Sequence, residues 1–293
     1  MLKKTLRYLG RGLLLLIALV LLWGLFLILR GEWVARMAKP LAPPPVAVAP
    51  GDAPVLILLH GAGLNGHMWD PLRRSLDPRW RVIAPDLPGH GAREAEHYTL
   101  EGAVATVVAA AKAVAPAPVI LVGDSLGGYT AMGAAAALPK EQLRGLVIGG
   151  CSGNFKPSQV FNYAGSLLMV SAFTTVMDEQ KILREGMPKF GVSAEDAQPM
   201  LAAGVNMHVV PEAVRELMGV DFKAKLVAIT QPVLIFNGTL DTRSIEGEPE
   251  FLAAAQHGSN HHFENTEHGV SMRKPAELAA LVNRFAEQAF AKP

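Results

Sequence analysis

The chain has 293 residues, half of them apolar, and a formal net charge of +1. That length allows one large domain or two small ones with a sizeable core, and the charge balance, without a basic stripe, excludes a nucleic-acid-binding surface. A single cysteine, Cys151, excludes an internal disulfide and a cysteine-rich zinc site.

The first predicted element is an uncharged apolar run over residues 13–29, preceded by Lys3, Lys4, Arg7 and Arg11. As a helix it would be about 26 Å long, close to a bilayer's hydrocarbon thickness. Tyr8 and Trp33 flank it, at the depth where amphipathic rings favour the interface. The run is long for a signal-peptide core, and Ala47-Val48-Ala49 is followed by Pro50, a poor cleavage context. Residues 1–39 are therefore read as an uncleaved signal anchor. Arg30, Arg36 and Lys39 follow the run with Glu32 as partial offset, so the basic bias narrowly favours a cytoplasmic N-terminus. The rest of the chain is then expected on the outer, extracytoplasmic side of the membrane, which is the periplasm in a Gram-negative cell.

Residues 40–54 are proline-rich and read as a stiff extended linker with one short strand over 46–49. Val55–Leu59 is a continuous apolar run, the pattern of a strand buried on both faces. It ends in His60-Gly61-Ala62-Gly63. A short helix is expected over 70–76, a strand over 81–84, and a helix over 99–115 that Pro116 and Pro118 terminate. A third strand begins at Val119 and runs into Gly123-Asp124-Ser125-Leu126-Gly127, with an alanine-rich helical pattern over 129–138. A fourth strand is expected over 146–148. From 152 to 230 the strand–helix alternation lapses into a helical pattern broken at Pro157, Pro188, Pro199 and Pro211. A fifth strand over 232–237, a sixth over 261–265 and a terminal helix over 275–291 complete the chain. Strands alternating with helices imply a mostly parallel sheet covered on both faces, with ligands bound beyond the carboxyl ends of the strands.

The strand–turn–helix around Ser125 has the form of a nucleophile elbow. Gly123 and Gly127 remove Cβ atoms that would meet neighbouring backbone, and the turn lifts the serine hydroxyl off the strand end. A serine hydroxyl is a weak nucleophile at neutral pH, so it needs a base within hydrogen-bond reach and a group that orients the base. His268 is the expected base, in the loop Asn265-Thr266-Glu267-His268-Gly269 after the last strand. Its rivals His261 and His262 fall inside that strand. Asp241, just beyond the fifth strand, is the expected acid, with Glu246 and Glu248 as rivals. The oxyanion formed in acyl transfer needs two donors: the Leu126 amide, and from the first glycine turn the Ala62 amide. His60 is read as structural, and Asp86 and His90 in Asp86-Leu87-Pro88-Gly89-His90-Gly91 as turn chemistry.

These motifs, in the order nucleophile, acid, histidine, resemble the α/β-hydrolase superfamily with a helical lid, over about residues 55–291. The resemblance implies a core of residues 55–151 and 231–293, a six- to seven-stranded, mostly parallel sheet flanked by helices, and a helical cap inserted at 152–230. It also implies a Ser-His-Asp hydrolase that cleaves a carboxylic ester or related acyl bond without a cofactor or metal. Two departures stand out. There is little room for the family's usual N-terminal hairpin, and Asp124 occupies a position that is often histidine. Serine at the apex disfavours halide and epoxide chemistry. Acyltransferase, carbon–carbon hydrolase, peptidase and haloperoxidase-like activities share the same residues, and a non-catalytic binding module is the alternative outside enzymes. Met169, Met177, Met187, Met200, Met207 and Met218 fall in the cap region. Flexible thioethers suit an adaptable apolar pocket or simple gap-filling; the first reading makes the small-molecule substrate hydrophobic. Oligomeric state is not legible.

Overall fold

The computed structural model describes residues 2–37, 39, 41–44, 51, 53–155, 163–170 and 179–291. The strand expected at 46–49, the break at Pro157 and Met177 lie outside the described residues.

Among the described residues six parallel strands form one sheet: β1 (Val55–Leu59), β2 (Arg81–Ile83), β3 (Val119–Asp124), β4 (Leu143–Gly149), β5 (Val233–Gly238) and β6 (Gly258–Phe263), in the order β2-β1-β3-β4-β5-β6. β1 and β3 are buried along their whole lengths, so their alternate side chains feed two separate apolar layers. Leu56, Leu58, Ile120 and Val122 pack on one face, and Ile57, Leu59, Val119 and Leu121 on the other. Each fully buried Leu or Ile contributes about 1.5–3 kcal/mol relative to exposure.

The N-terminal helix α1 runs from Leu2 to Met37. Within it, Tyr8–Gly31 is long and apolar enough to cross a bilayer by length and composition. Its apolar side chains are exposed except near its end, where Leu27 is buried and Gly31 lies against Tyr163. Short helix α2 (Asp70–Arg73) follows a 3-10 turn at Gly66–Trp69, so the helix expected over 70–76 stops early. Helix α3 (Leu100–Ala113) is capped by the Thr99 hydroxyl, which accepts from the Gly102 amide. Helix α4 (Leu126–Ala135) starts three residues before the alanine-rich pattern suggested, because Gly127 and Gly128 hide its first turn from propensity.

Between β4 and β5 lie α5 (described over 163–170), α6 (Glu179–Gly186), α7 (Ala194–Ala202), α8 (Val209–Leu217) and α9 (Phe222–Val227). This layer is tied to the strand-end loops: Asn65 donates to the Met200 and Gly204 carbonyls at 2.7 Å each, and the Asn206 amide donates to the Gly63 carbonyl at 3.0 Å. Helices α10 (Thr242–Ala254), α11 (Val270–Arg273) and α12 (Pro275–Phe290) complete the fold. β6 begins at Gly258, three residues before the expected start, because its ladder to β5 pairs Gly258 with Val233 and Phe263 with Gly238. Backbone pairing there overrides the weak strand propensity of Gly-Ser-Asn, and Asn265, at φ 53°, lies in the turn beyond.

The first strand-end loop is held by two neutral histidines. His60 Nε2 accepts from the Leu87 amide at 3.1 Å, which puts the ring proton on Nδ1, donated to the Gly61 carbonyl at 2.9 Å. His90 packs edge-on against it, ring centroids 4.7 Å apart, and its Nδ1 donates to the Pro88 carbonyl at 2.9 Å. Burial lowers His60 from 6.5 to about 4 and His90 from 6.5 to about 3. The unfolded chain therefore takes up these protons first. The contribution to stability is complete above pH 6.5 and lost as pH falls through the folded values, on the order of 3 kcal/mol for His60 alone. The urea midpoint is expected to fall steeply between pH 6.5 and 4, and less steeply for His90→Asn; an equal slope in that variant refutes the assignment.

Candidate active site

The carboxyl ends of β3, β5 and β6 bring three loops to one edge of the sheet. Ser125, directly after β3, has φ 56° and ψ −121°. A non-glycine residue in this region stores strain of order 1–3 kcal/mol and persists only where its surroundings impose it. Here they do. The Ser125 amide donates to the Gly149 carbonyl at 2.8 Å. A Cβ on Gly123 would overlap Gly127, and one on Gly127 would overlap the Leu59 carbonyl, so strand and helix approach more closely than any other residue allows. Gly61 lies beneath the Ser125 side chain. Among the described residues, neither the Leu126 amide, first of α4, nor the Ala62 amide has a hydrogen-bond partner.

His268 Nε2 lies 3.0 Å from Ser125 Oγ, and His268 Nδ1 lies 2.7 Å from Asp241 Oδ2. Asp241 caps α10, and its other oxygen accepts from the Ser244 amide at 3.4 Å. The hydrogen bond that His268 donates to Asp241, foremost, raises the His268 pKa above 6.5 against the cost of burial. Burial opposes ionisation of Asp241, but the bond and charge of His268 and the Ser244 contacts outweigh it and hold the carboxyl below its usual range. The pair thus forms a stronger base with one ring nitrogen fixed as a donor and the other directed at a hydroxyl. Such an arrangement can draw the proton from Ser125 as a bond to carbon forms.

The other sequence candidates fall elsewhere. Glu248 is buried and accepts from Asn237 and Asn260 at 2.6 Å each, and its Oε1 lies 2.8 Å from His262 Nε2, a network under the Gly150 loop. Glu246 is exposed, and His261 stays on the strand against Phe263. Asp86 accepts from the Gly66 and Ala92 amides at 2.9 Å each, holding its turn. Sequence reasoning missed Ser271, whose amide donates to Asp124 at 3.1 Å and whose hydroxyl also bonds that carboxylate. Asp124 is buried under His268 and raised by that burial, and the Ser271 bonds anchor the loop that bears His268. No spacing rule marks a lone serine in a four-residue helix. Arg243 was also missed. A cavity of ≈ 350 Å³ in front of Ser125 is lined by Tyr129, Phe155, Arg243 and Ser244 beside Asp241 and His268. None of the described cap-region methionines lines it; Met187 and Met200 are buried in the apolar cluster that holds Leu56 and Leu58, Met169 is exposed, and Met207 Sδ sits by Gly63.

A family model described as alpha/beta hydrolase family matches residues 56–281. The pimeloyl-[acyl-carrier protein] methyl ester esterase of Xanthomonas oryzae pv. oryzae is 43% identical over 98 residues, 33% of this chain and 37% of that protein. The chain thus spans little more than a third of the length of that relative. The enzyme of the same name from Chromobacterium violaceum is 30% identical over 212 residues, covering 69% of this chain and 82% of its own. Among solved structures, a thermophilic esterase from Thermogutta terrifontis superposes with a TM-score of 0.65 at 20% identity, over 83% of this chain and 93% of its own. At that identity the likeness speaks to the fold.

Proposed function

We propose that this chain, which belongs to the alpha/beta hydrolase family, is a serine esterase held at a membrane by its N-terminal helix. The observation that carries the reading is the hydrogen-bonded line from Ser125 through His268 to Asp241, at 3.0 and 2.7 Å, at the mouth of a cavity. Ser125 Oγ attacks the ester carbonyl carbon while His268 Nε2 takes its proton. The carbonyl oxygen, now negative, is held by the Leu126 and Ala62 amides. Collapse of the tetrahedral species breaks the bond to the alcohol, which leaves with the proton from His268. Water, deprotonated by the same imidazole, attacks the acyl-enzyme and releases the acid. Asp241 keeps the imidazole in the required tautomer and offsets its positive charge. The chemistry is complete in these side chains, which is why no cofactor or metal enters it. Relatives named as methyl ester esterases favour an oxygen ester over an amide. The apolar exposure of Tyr8–Gly31 supports the membrane anchor, and the basic residues before it favour the catalytic domain on the outer side.

The full chain in detergent is expected to hydrolyse short acyl esters and to be labelled on Ser125 by a fluorophosphonate. His268 acts only when unprotonated, and Asp241 holds its value above 6.5. Both rates should therefore climb with pH through one ionisation above 6.5 and level off beyond it. Absence of labelling at every pH removes the esterase reading.

A further inference from the structure

Among the described residues that line the cavity in front of Ser125, Arg243 is the permanent cation. It lies two residues beyond Asp241, and no carboxylate among the described residues is paired with it. Its guanidinium instead lies over the Phe155 ring, 4.4 Å from the centroid. Phe155 is itself fixed: its carbonyl accepts from the Gly219 amide at 2.7 Å, and it bridges to Met218 at the end of α8. The other polar groups at this wall are committed. Tyr129 donates to the Gly153 carbonyl at 2.7 Å, and the Asp241 carboxylate is taken by His268 and Ser244. A guanidinium stacked on an aromatic face keeps its planar fork of donors free at the edge.

We propose that Arg243 is a specificity residue that receives an anionic group of the substrate, so that the preferred substrate is an ester carrying a carboxylate at the far end of a short apolar stretch. The inference rests on the esterase reading above. The apolar stretch lies along Tyr129 and Phe155, and the carboxylate makes paired charge-assisted hydrogen bonds with the guanidinium. Arg243 is exposed, so the contact draws its selectivity from the paired, oriented donors of the fork rather than from desolvation. A bound anion has a second effect. The charge of Arg243 opposes protonation of His268, and a carboxylate placed on it cancels that opposition when the imidazole takes the Ser125 proton.

The test compares monomethyl esters of α,ω-dicarboxylic acids with methyl alkanoates of equal length, using the full chain in detergent at low salt. The parent is expected to favour the charged ester about tenfold in kcat/KM at its best chain length. R243Q should bring the ratio near one, R243K should keep part of it, and R243E should turn the preference toward methyl esters of ω-amino acids. An uncharged fluorophosphonate marks each variant that has folded around its serine. A parent without charge preference, or a preference that survives in R243Q, overturns the proposal while leaving the esterase reading in place. Failure of the parent to turn over any ester or take up the label removes both.

Discussion

Replacing Ser125 by alanine is expected to lower kcat for ester hydrolysis by about 10⁵- to 10⁶-fold and to abolish fluorophosphonate labelling, with KM little changed. The size of the effect follows from the geometry. Among the described residues, the Ser125 hydroxyl is the one bonded to His268 Nε2, at 3.0 Å, and poised to form the acyl-enzyme. Without it, catalysis is limited to water bound between the imidazole and the two free amides. His268→Ala should cost nearly as much, since a serine without its base is as idle as a base without its serine. The double variant should be no slower than either single one, because residues that act as a unit are not additive. Asp241→Asn should retain the geometry yet lose about 10⁴-fold, since an amide in that position selects the wrong imidazole tautomer. Steady-state kinetics on the four variants decide the matter. A double variant slower than the singles by the product of their effects would mean that Ser125 and His268 act in separate steps.

The second large effect is on stability. Gly127→Ala is expected to cost about 4 kcal/mol or more, the range reserved for changes with a named steric cause. The added methyl would overlap the Leu59 carbonyl and press on that of His60, both of them main-chain groups that cannot rotate away. Relief requires α4 to lift off β1, which opens the central core and removes the strain that holds Ser125 at φ 56°. Gly165→Ala is the contrast. Its Cβ would meet nothing within 4 Å, and the change removes a helix-interior glycine, so its effect is neutral or a gain of up to about 1 kcal/mol. Thermal melts of the two variants should differ by about 10 °C or more. Equal melting temperatures would show that the α4–β1 approach is not sterically limiting.

Much of this was legible before any coordinates because of one property of parallel sheets. Every strand end that carries a loop motif faces the same edge, so residues as far apart as Ser125 and His268 meet once the strands are placed. The apolar runs at β1 and β3 marked those strands because burial on both faces leaves no polar positions. β6 was displaced because its start is set by pairing with β5 rather than by its own composition. The positions of Ser271, Arg243 and Glu248 were illegible for a related reason. Each depends on how a helix after a strand end is rotated, and no period in the sequence encodes that angle. Asp241 is the acid expected from sequence, and Glu248 is one of its two rivals a few residues on. About two turns of α10 separate Asp241, which meets His268, from Glu248, which enters a buried network with Asn237 and Asn260.

An open parallel sheet ends in two unpaired strands, and at one end this chain has placed β6. Its residues Gly258 to His262 are exposed, and the strand reads Gly-Ser-Asn-His-His before Phe263. An edge with that composition is a poor template for a strand of another molecule, since it presents bulky polar rings and amides where a self-associating edge would present Val or Ile. Glu248 holds Asn260 and His262 to the body of the sheet and so discourages the flat, regular register that edge-to-edge growth requires. For a protein that our reading confines to a membrane plane at high local density, the histidine-rich last strand acts as a safeguard against aggregation.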